Sequence, residues 1–396
     1  MLKGSIPQNA HNGEYLKKVF AAADEELKKP DLALPYSKFR LFADTGNRLV
    51  YETDYIAHRK RLGLFAIMSL ADGGEQWVRA AADTIWAILD EFTWALPAHL
   101  SGTPWEKKPY VVDLFAAETA FALSEVDALL GSRLPEPVRA RMRRLIEERV
   151  INPFFAGEIH FHQSNWAAVQ ISGVIAPLCY FGWEEKLQAA LPGIRAAYDQ
   201  YFASFREDAC CLEGALYWMF GFGYFCYGAE ILRDATHGAV DYLAEARVQE
   251  IAKFPSRIAL GKNAVIPFAD GPHHLNYHIG LMDFLHSTFG VPQIPQENEM
   301  AYGQDDRYRL PDILRDLYWY DDAPRKAAAP EPRVDFPVSQ WFVRRGALTL
   351  VVKGGTNREP HNHNDLGSVV LYDGDRFIVD DLGWSDYDKQ YFSSER

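Results

Sequence analysis

A short polar segment near the C-terminal end, residues 356–365, concentrates side chains that can do chemistry. It contains two histidines, His361 and His363, among asparagines, with Arg358 before them and Asp365 after them. Imidazole changes its protonation near neutral pH, so it can serve as a general base, a general acid or a metal ligand. So many polar groups in one short segment favour a functional site over a packing role.

Apolar, β-branched runs flank this histidine segment. Residues 348–353 precede it, and residues 368–372 and 376–379 follow it, joined by Asp373-Gly374-Asp375. An Asp-Gly pair between apolar runs is a strong hairpin signal, because the central residues of its turn need positive φ. We therefore predict strands on both sides of the histidines, with Asp373-Gly374 as the two-residue turn. The histidines should then lie at the mouth of a sheet.

Three further polar places stand out in the N-terminal part, each beside an apolar run of helical spacing. They are Trp94 with His99 and Asp113, then Ser164-Asn165-Trp166, and then Glu213-Gly214 with Tyr217. Each also has an ordinary explanation. His99 and Asn165 can be hydrogen-bond partners at helix ends, and Tyr217 can be a core residue, one of 20 tyrosines.

The composition is that of a soluble, acidic protein. Lys plus Arg number 41 against 54 Asp plus Glu, a net charge of −13, which argues against nucleic-acid or anionic-membrane binding. An acidic substrate would therefore have to be met by local Arg and Lys residues. The first residues lack the apolar stretch of a signal peptide, and no later run is long enough for a membrane span, so we expect a cytoplasmic location.

The four cysteines do not indicate a disulfide framework or a zinc knuckle. Cys179, Cys210, Cys211 and Cys226 all lie in largely apolar sequence. We predict buried free thiols, and a redox role for the neighbouring pair Cys210-Cys211 is the alternative.

The chain divides into a long helical part and a short β part. At 396 residues it exceeds what one core usually organises, which favours two domains. Residues 1–322 show ten or more helical runs with short loops, typical of helical hairpins that close on themselves or form a solenoid. Residues 323–335 contain three prolines among small and charged residues, as in a linker. Residues 336–396 form the β domain.

The β domain is short, with about 60 residues and four or five strands. A sheet of this size leaves an open edge and an uncovered face. Either the sheet leans on the helical domain, or the β domain is cut short here and continues beyond Arg396.

Taken together, the motifs resemble one family, the heparinase II/III-like polysaccharide lyases. The matching residues follow the family's order along the chain. They are Trp94 to His99 with residues 113–118, Ser164-Asn165-Trp166, Glu213-Gly214 with Tyr217-Trp218, residues 361–368, and Val379-Asp380. The His-Asn-His-Asn-Asp block is the most specific of these motifs.

The resemblance implies an (α/α) toroid of helical hairpins followed by an antiparallel β-sandwich, with a cleft between them. It also implies a lyase acting on acidic oligosaccharides or polysaccharides that contain uronic acid, by β-elimination. In that reaction the enzyme removes the C5 proton, stabilises negative charge on the uronate and protonates the departing 4-oxygen.

The resemblance also assigns roles within this cleft. Asn165 would bind the uronate carboxylate, Tyr217 would act as acid or as combined acid and base, and His361 would act as base. The remaining substrate contacts would come from His99, Trp166, Glu213 and Arg358. The guanidinium of Arg358 is suited to pairing with a substrate carboxylate.

His363 and Asp380 match two positions that bind a structural zinc ion in some members. A closed zinc site needs four ligands, and the third protein ligand would be expected farther along the chain. The alternative is a hydrogen bond between His363 and Asp380 without metal. We expect no organic cofactor, and the assembly could be a homodimer.

Two other function classes remain open. Helical toroids also host glycoside hydrolases, which need two carboxylic acids across the scissile bond, and Asp113, Glu118 and Glu213 could supply them. A non-catalytic glycan-binding protein would instead use exposed Trp and Tyr side chains. The hydrolase alternative leaves the histidine segment unexplained.

Overall fold

Helices make up most of the chain before residue 319. The computed structural model describes residues 1–30, 32–294, 303, 305, 307–323, 325 and 329–383. The first helices are α1 Ala10–Leu27, α2 Tyr36–Phe39, α3 Leu41–Thr45, α4 Leu49–Ala71, α5 Glu75–Asp90, α6 Leu114–Leu130, α7 Glu136–Ile146 and α8 Asn152–Phe155. They are followed by α9 Asn165–Tyr180, α10 Glu184–Ala203, α11 Ala215–Ala235, α12 Ala246–Ala252, α13 Phe254–Ile258, α14 Ile279–Phe289 and α15 Leu310–Tyr318.

Two antiparallel sheets accompany the helices. A small hairpin within the helical part pairs β1 Ala259–Gly261 with β2 Ala264–Val265. The second sheet has five strands in chain order: β3 Arg333–Phe336, β4 Trp341–Arg345, β5 Thr349–Lys353, β6 Val369–Tyr372 and β7 Phe377–Val379. The predicted fold class, a helical toroid followed by an antiparallel β domain, is confirmed.

Close packing of α9 against its neighbours α6 and α11 forms the centre of the helical part. At Gly173 of α9, a Cβ atom would lie 2.6 Å from the backbone of Ala117 on α6. At Gly221 of α11, a Cβ atom would lie 2.8 Å from the Cβ of Asn165. Glycine at these two points lets the helices approach closely, and it holds the first residue of α9 against α11.

The five-stranded sheet buries one face on the helical part. Trp341 is fully buried, and its ring lies 5.2 Å from that of Phe268 and 6.4 Å from that of Phe254. On the opposite face Leu350 and Val369 are exposed, as alternation along a strand requires. The sheet thus leans on the helical part, which is one of the two possibilities expected for it.

The hairpin between β6 and β7 forms, but its turn is shifted by one residue. The Asp373 N–H donates to the Arg376 carbonyl, so Gly374 and Asp375 are the two turn residues rather than Asp373 and Gly374. The Asp373 carboxylate accepts hydrogen bonds from the backbone N–H groups of Asp375 and Arg376. This Asx interaction favours the observed turn over the predicted one.

The predictions for the cysteines, the linker and membrane-spanning helices have different outcomes. All four cysteines are free and buried, as predicted. Strand β3 begins at Arg333, inside the segment predicted as a linker, and the division into two domains stays a prediction. Within the described residues, no helix combines the length and the apolar character needed to cross a membrane.

Candidate active site

Two inner helices begin side by side and present polar residues at their N-terminal ends. Asn165 is the first residue of α9, after Ser164, whose side chain accepts the N–H of Trp166. Tyr217 lies in the first turn of α11, whose N-cap is Gly214 with φ of +89°. That backbone conformation is available to glycine and costly for other residues.

Glu213 connects the N-terminal ends of α9 and α11. Its carboxylate accepts one hydrogen bond from the Asn165 backbone N–H (3.0 Å) and another from the Asn165 side-chain amide (2.5 Å). Asn165 is 1% exposed, and its buried Oδ1 has no hydrogen-bond partner within the described part of the chain. Glu213 therefore orients the amide, while the amide oxygen stays available to a bound molecule.

The histidine segment is a loop rather than a continuation of β5. His361 and Asn364 both have φ of +57°, which curls the backbone twice within four residues. Positive φ is uncommon for residues other than glycine and often marks functional sites. The curled loop brings both histidines to Asp270 of the helical part.

The Asp270 carboxylate accepts a hydrogen bond from each of the two histidines. His361 Nδ1 donates to Asp270 Oδ2 at 2.5 Å, and His363 Nε2 donates to Oδ1 at 2.7 Å. Asp270 lies at the apex of a tight turn closed by a 2.8 Å hydrogen bond from the Gly271 N–H to the Ala269 carbonyl. A Cβ atom on Gly214 would lie 2.7 Å from the Phe268 carbonyl. The same glycine that begins α11 thus makes room for this turn.

His361 stacks on Tyr217 and is flanked by two carboxylates. The ring centroids are 4.0 Å apart with 22° between the planes, and His361 Nε2 lies 3.4 Å from Glu213 Oε2. Burial by itself lowers the pKa of His361, but the hydrogen bonds and charges of Asp270 and Glu213 raise it to about 9. The imidazole therefore holds its proton at neutral pH.

His99 and Trp166 extend the site away from this cluster. His99 Nδ1 donates to Asp113 Oδ2 at 2.6 Å, and Asp113 also caps α6 through the Ala116 N–H. The His99 ring lies 5.0 Å from that of Trp166, which directly follows Asn165. These two side chains are partly exposed and form an aromatic wall beside the amide.

His363 and Asp380, the pair matched to a zinc site, do not meet. Asp380 instead accepts a 2.7 Å hydrogen bond from His273 Nε2. The neighbouring Asp381 approaches His363, with 4.0 Å between Oδ1 and Nδ1. Among the described residues, one group could hold a metal ion. Its ligand atoms lie within 4.8 Å of one another and belong to His363, Asp365 and Asp381. Asp365 is also paired with the Lys353 ammonium at 2.9 Å.

Arg358 lies apart from the contacts described so far. Its side chain is exposed, and within the described residues it forms no ion pair. The structure thus joins Asn165, Glu213, Tyr217 and His361 directly, places His99 and Trp166 beside them, and links His363 through Asp270.

Sequence reasoning missed Asp270 and His273. They belong to Ala269-Asp270-Gly271-Pro272-His273, which no predicted helix or strand covered and which His274 follows directly. The signal available was an Asp-Gly-Pro turn followed by two histidines, a short polar cluster of the kind that marked the segment 356–365. Its partners lie about 90 residues away, and pattern alone does not pair such distant segments.

The carboxylates proposed for a glycoside hydrolase each have another partner. Asp113 is bound to His99, Glu213 is bound to Asn165, and Glu118 accepts a 2.6 Å hydrogen bond from Arg309 Nε. Burial, partly offset by Arg309, raises the pKa of Glu118 to about 7.

Known structures provide the comparison for this arrangement. No protein-family model matches the sequence, and a search of curated proteins finds no match. Among solved structures, a heparinase III aligns with 96% of this chain and 64% of its own (TM-score 0.51, 14% identity). A heparan sulfate lyase from Pedobacter heparinus aligns with 95% of this chain and 61% of its own (TM-score 0.52, 14% identity).

A chondroitin AC lyase variant from Streptomyces coelicolor A3 aligns with 94% of this chain and 56% of its own (TM-score 0.58, 12% identity). The chain therefore spans less than two thirds of the length of these proteins. At such identities the likeness concerns the fold, and this chain has a heparinase-like polysaccharide lyase fold.

Proposed function

We propose that this protein is a lyase that cleaves uronic-acid-containing glycans by β-elimination, giving products with an unsaturated uronate. The observation that carries the proposal is the contact between Tyr217 and His361, stacked at 4.0 Å and joined through Glu213 to the buried amide of Asn165. A phenol, a cationic imidazole and an amide are the groups that an elimination next to a carboxylate needs.

In the proposed reaction Asn165 Nδ2, which has a second N–H besides the one donated to Glu213, donates a hydrogen bond to the uronate carboxylate. Negative charge that develops there as the C5 proton leaves is stabilised by the amide and by the imidazolium of His361. Because Asp270 and Glu213 keep His361 protonated at neutral pH, Tyr217 is the group left to accept the C5 proton. His361 then takes an electrostatic role instead of the basic role implied by the family resemblance.

Tyr217 can complete the reaction as well as start it. Its ionised oxygen takes the proton from C5, the C4–O bond breaks, and the same hydroxyl returns that proton to the departing 4-oxygen. One C–H bond and one C–O bond are broken, and a C4=C5 double bond and an O–H bond are formed. The face-on imidazolium at 4.0 Å places its positive charge against the ring whose oxygen exchanges the proton.

A metal ion would have a structural role here. His363 Nδ1 is buried without a hydrogen-bond partner in the described part of the chain, while Nε2 donates to Asp270. A carboxylate behind one nitrogen and a free second nitrogen is the usual arrangement of a metal-bound histidine. Zinc would be held by His363 and Asp381, with Asp365 as a third ligand once it exchanges Lys353 for the ion. The bound ion would stabilise the histidine loop.

Product absorbance tests the function. Only elimination creates a conjugated unsaturated uronate, which absorbs in the ultraviolet, whereas hydrolysis gives reducing ends without it and binding gives neither. The protein should be assayed on heparan-, chondroitin-, hyaluronan-, alginate- and pectin-type oligosaccharides, with Tyr217→Phe as the inactive control. New reducing ends without absorbance would overturn the proposal in favour of a hydrolase.

A further inference from the structure

A cluster of exposed aromatic rings lies near the candidate active site and takes no part in the chemistry described above. It consists of Phe39, Phe92 and Trp105, and we call it the aromatic platform. The rings of Phe92 and Trp105 stack, with 4.8 Å between their centroids and 20° between their planes. Trp105 is 52% exposed and Phe92 is 39% exposed. Exposed apolar side chains that form a cluster mark a binding surface, whereas scattered single ones do not.

The indole of Trp105 is held in place with one face open. Phe92 covers its other face, and Phe39 meets the rings of Trp105 and Phe92 edge-on, at 88° to both. Phe39 itself packs on a buried cluster that includes Tyr51. The ring of Tyr36 borders the indole at 6.2 Å, with 77° between the planes. The indole is therefore a supported, partly exposed surface on which a flat molecule can stack.

The aromatic platform lies at the same end of the helical part as the candidate active site. Trp105 follows His99 by six residues, a length of chain that spans at most about 20 Å. Helix α2 carries Phe39 and leads directly into α3, which packs against the turn Pro97–His99. His99 in turn lies beside Trp166 in the candidate site. A chain-like ligand bound in the cleft can therefore extend past His99 to Trp105.

Three cations close in sequence to the platform residues are each paired with a carboxylate. The ion pairs are Lys38 with Asp54, Arg40 with Asp44 and Lys107 with Glu158. Because these positive charges are already offset, the platform is not suited to bind the acidic group of a ligand. It offers instead the face of an aromatic ring, whose negative π-system attracts C–H groups.

We propose that the aromatic platform binds the uncharged C–H face of a sugar ring in a glycan chain, a few units away from the bond cleaved in the cleft. A pyranose ring can pack its C–H groups on the open face of Trp105 while its hydroxyl groups stay in water. The nature of the ligand rests on the proposed function, because a glycan is the substrate assigned to the cleft. The consequence is a preference for long chains, since only these reach from the cleft to Trp105.

Binding of oligosaccharides, measured by calorimetry on the full chain, tests the aromatic platform. Tetrasaccharides and decasaccharides of heparan, chondroitin, hyaluronan, alginate and pectin type are compared, with Tyr217→Phe as the parent chain to suppress turnover. Adding Trp105→Ala should weaken decasaccharide binding about tenfold, as for the loss of one aromatic stack, and leave tetrasaccharide binding unchanged. Trp105→Phe keeps part of the stacking surface and of the contact with Phe92, so it should give an intermediate affinity.

Trp86→Ala is the matched control for Trp105→Ala. Trp86 is 43% exposed on α5, with the guanidinium of Arg141 over its ring at 4.4 Å, and it lies outside the platform. Its removal should leave the binding of both chain lengths unchanged.

Three outcomes would overturn the proposal. One is equal decasaccharide affinity in the parent chain and in Trp105→Ala, and another is the absence of decasaccharide binding to the parent chain. The third is a dimer that Trp105→Ala converts to a monomer, seen by sedimentation, with decasaccharide binding unchanged. In that case a second copy of the chain, rather than a sugar, covers the platform.

The outcome is independent of the elimination assay on the wild type. A chain that forms no unsaturated product but binds decasaccharides in a Trp105-dependent way would refute the proposed function and keep the platform. A chain that forms the product, with no effect of Trp105→Ala on decasaccharide binding, would do the reverse.

Discussion

The candidate active site and the cavity lined by Tyr55, Arg59, Glu118 and Tyr224 are built in different ways. The active site depends on loops in unusual backbone conformations, since His361, Asn364 and Ala269 have positive φ. These loops bring His361 into contact with Asp270. The cavity instead uses regular helix faces, with Arg59 on α4 and Tyr224 on α11. Loops bring distant residues together with fine adjustment, whereas helix faces provide a rigid wall whose shape follows from backbone packing.

The two sites also treat charge differently. Two carboxylates hold a proton on His361, whose pKa is raised to about 9. In the cavity, burial outweighs the favourable contact with Arg309 and raises the pKa of Glu118 to about 7. The net shift in the pKa of His361 therefore follows its charged partners, whereas the shift in the pKa of Glu118 follows its burial.

The largest effect should come from Tyr217→Phe. If Tyr217 transfers the proton, the variant should lose at least about 100-fold in kcat, because general acid–base catalysis contributes ~10²–10⁴-fold. The ring still packs, so the melting temperature should stay the same. Tyr36→Phe, at an exposed tyrosine on α2, serves as the control. A Tyr217→Phe variant with more than about a tenth of the wild-type rate would remove Tyr217 from this role.

Asp270→Asn tests the dependence of the active site on one carboxylate. The variant loses the charge that binds both His361 and His363, so we expect activity to fall by about 10- to 100-fold, as for residues that orient functional side chains. Asp127→Asn is the matched control: Asp127 is a buried carboxylate that pairs with Arg139 and Arg143. It should lower stability while sparing kcat. Similar kcat values in the two variants would contradict the role of Asp270.

The pH profile distinguishes a cationic His361 from a basic one. If the imidazolium stabilises the developing charge, kcat/KM should fall about tenfold per pH unit above pH 9, as His361 loses its proton. Asp270→Asn removes a group that raises this pKa, so the fall should begin at lower pH. Activity that instead rises up to pH 9 and then levels off, with the rise moved to lower pH in Asp270→Asn, would return His361 to the role of base.

The two histidines should differ in their effect on stability. His363→Ala should lower the melting temperature by several degrees, because it removes the link to Asp270 and the nitrogen suited to a metal ion. His361→Ala should mainly lower turnover. If metal is bound, a chelator should lower the melting temperature of the wild type and leave that of His363→Ala unchanged. A destabilised His361→Ala beside a stable His363→Ala would exchange their roles.

Glu118→Gln should give the smallest change, in the pH dependence of stability. The folded-state pKa of about 7 exceeds the ordinary value of 4.5, so Glu118 holds its proton more tightly when folded. Its contribution to the free energy of unfolding is full below pH 4.5 and is lost as pH rises to 7, by about 1–3 kcal/mol. The variant should lose less stability over that range. Parallel curves for variant and wild type would show that Arg309 keeps Glu118 ionised.

Much of the fold followed from the sequence. Apolar spacing located the main inner helices, and the strands around the histidine segment were predicted within a few residues. The hairpin turn was misplaced because the Asp373 side chain, not the Asp-Gly pair alone, selects the turn.

The site was predicted in part. Motifs indicated Asn165, Glu213, Tyr217 and His361, and the structure brings these together. Asp270 was missed because its partners are distant in sequence, and Asp380 was paired with His363 because strand register alone could not show that the chain there turns toward His273. Contacts between loops depend on tertiary packing that no local pattern records.

Gly214 has a consequence for finding related proteins. It combines a φ of +89° with a neighbouring carbonyl where a methyl group would fall, so no other residue can occupy the position without moving Asp270 away. A sequence with both histidines and the tyrosine, but with a larger residue at position 214, would have the same reactive groups. It could not hold them in the arrangement seen in this structure. For searches in divergent genomes, this side-chain-free position is thus a stricter diagnostic marker than the reactive residues themselves.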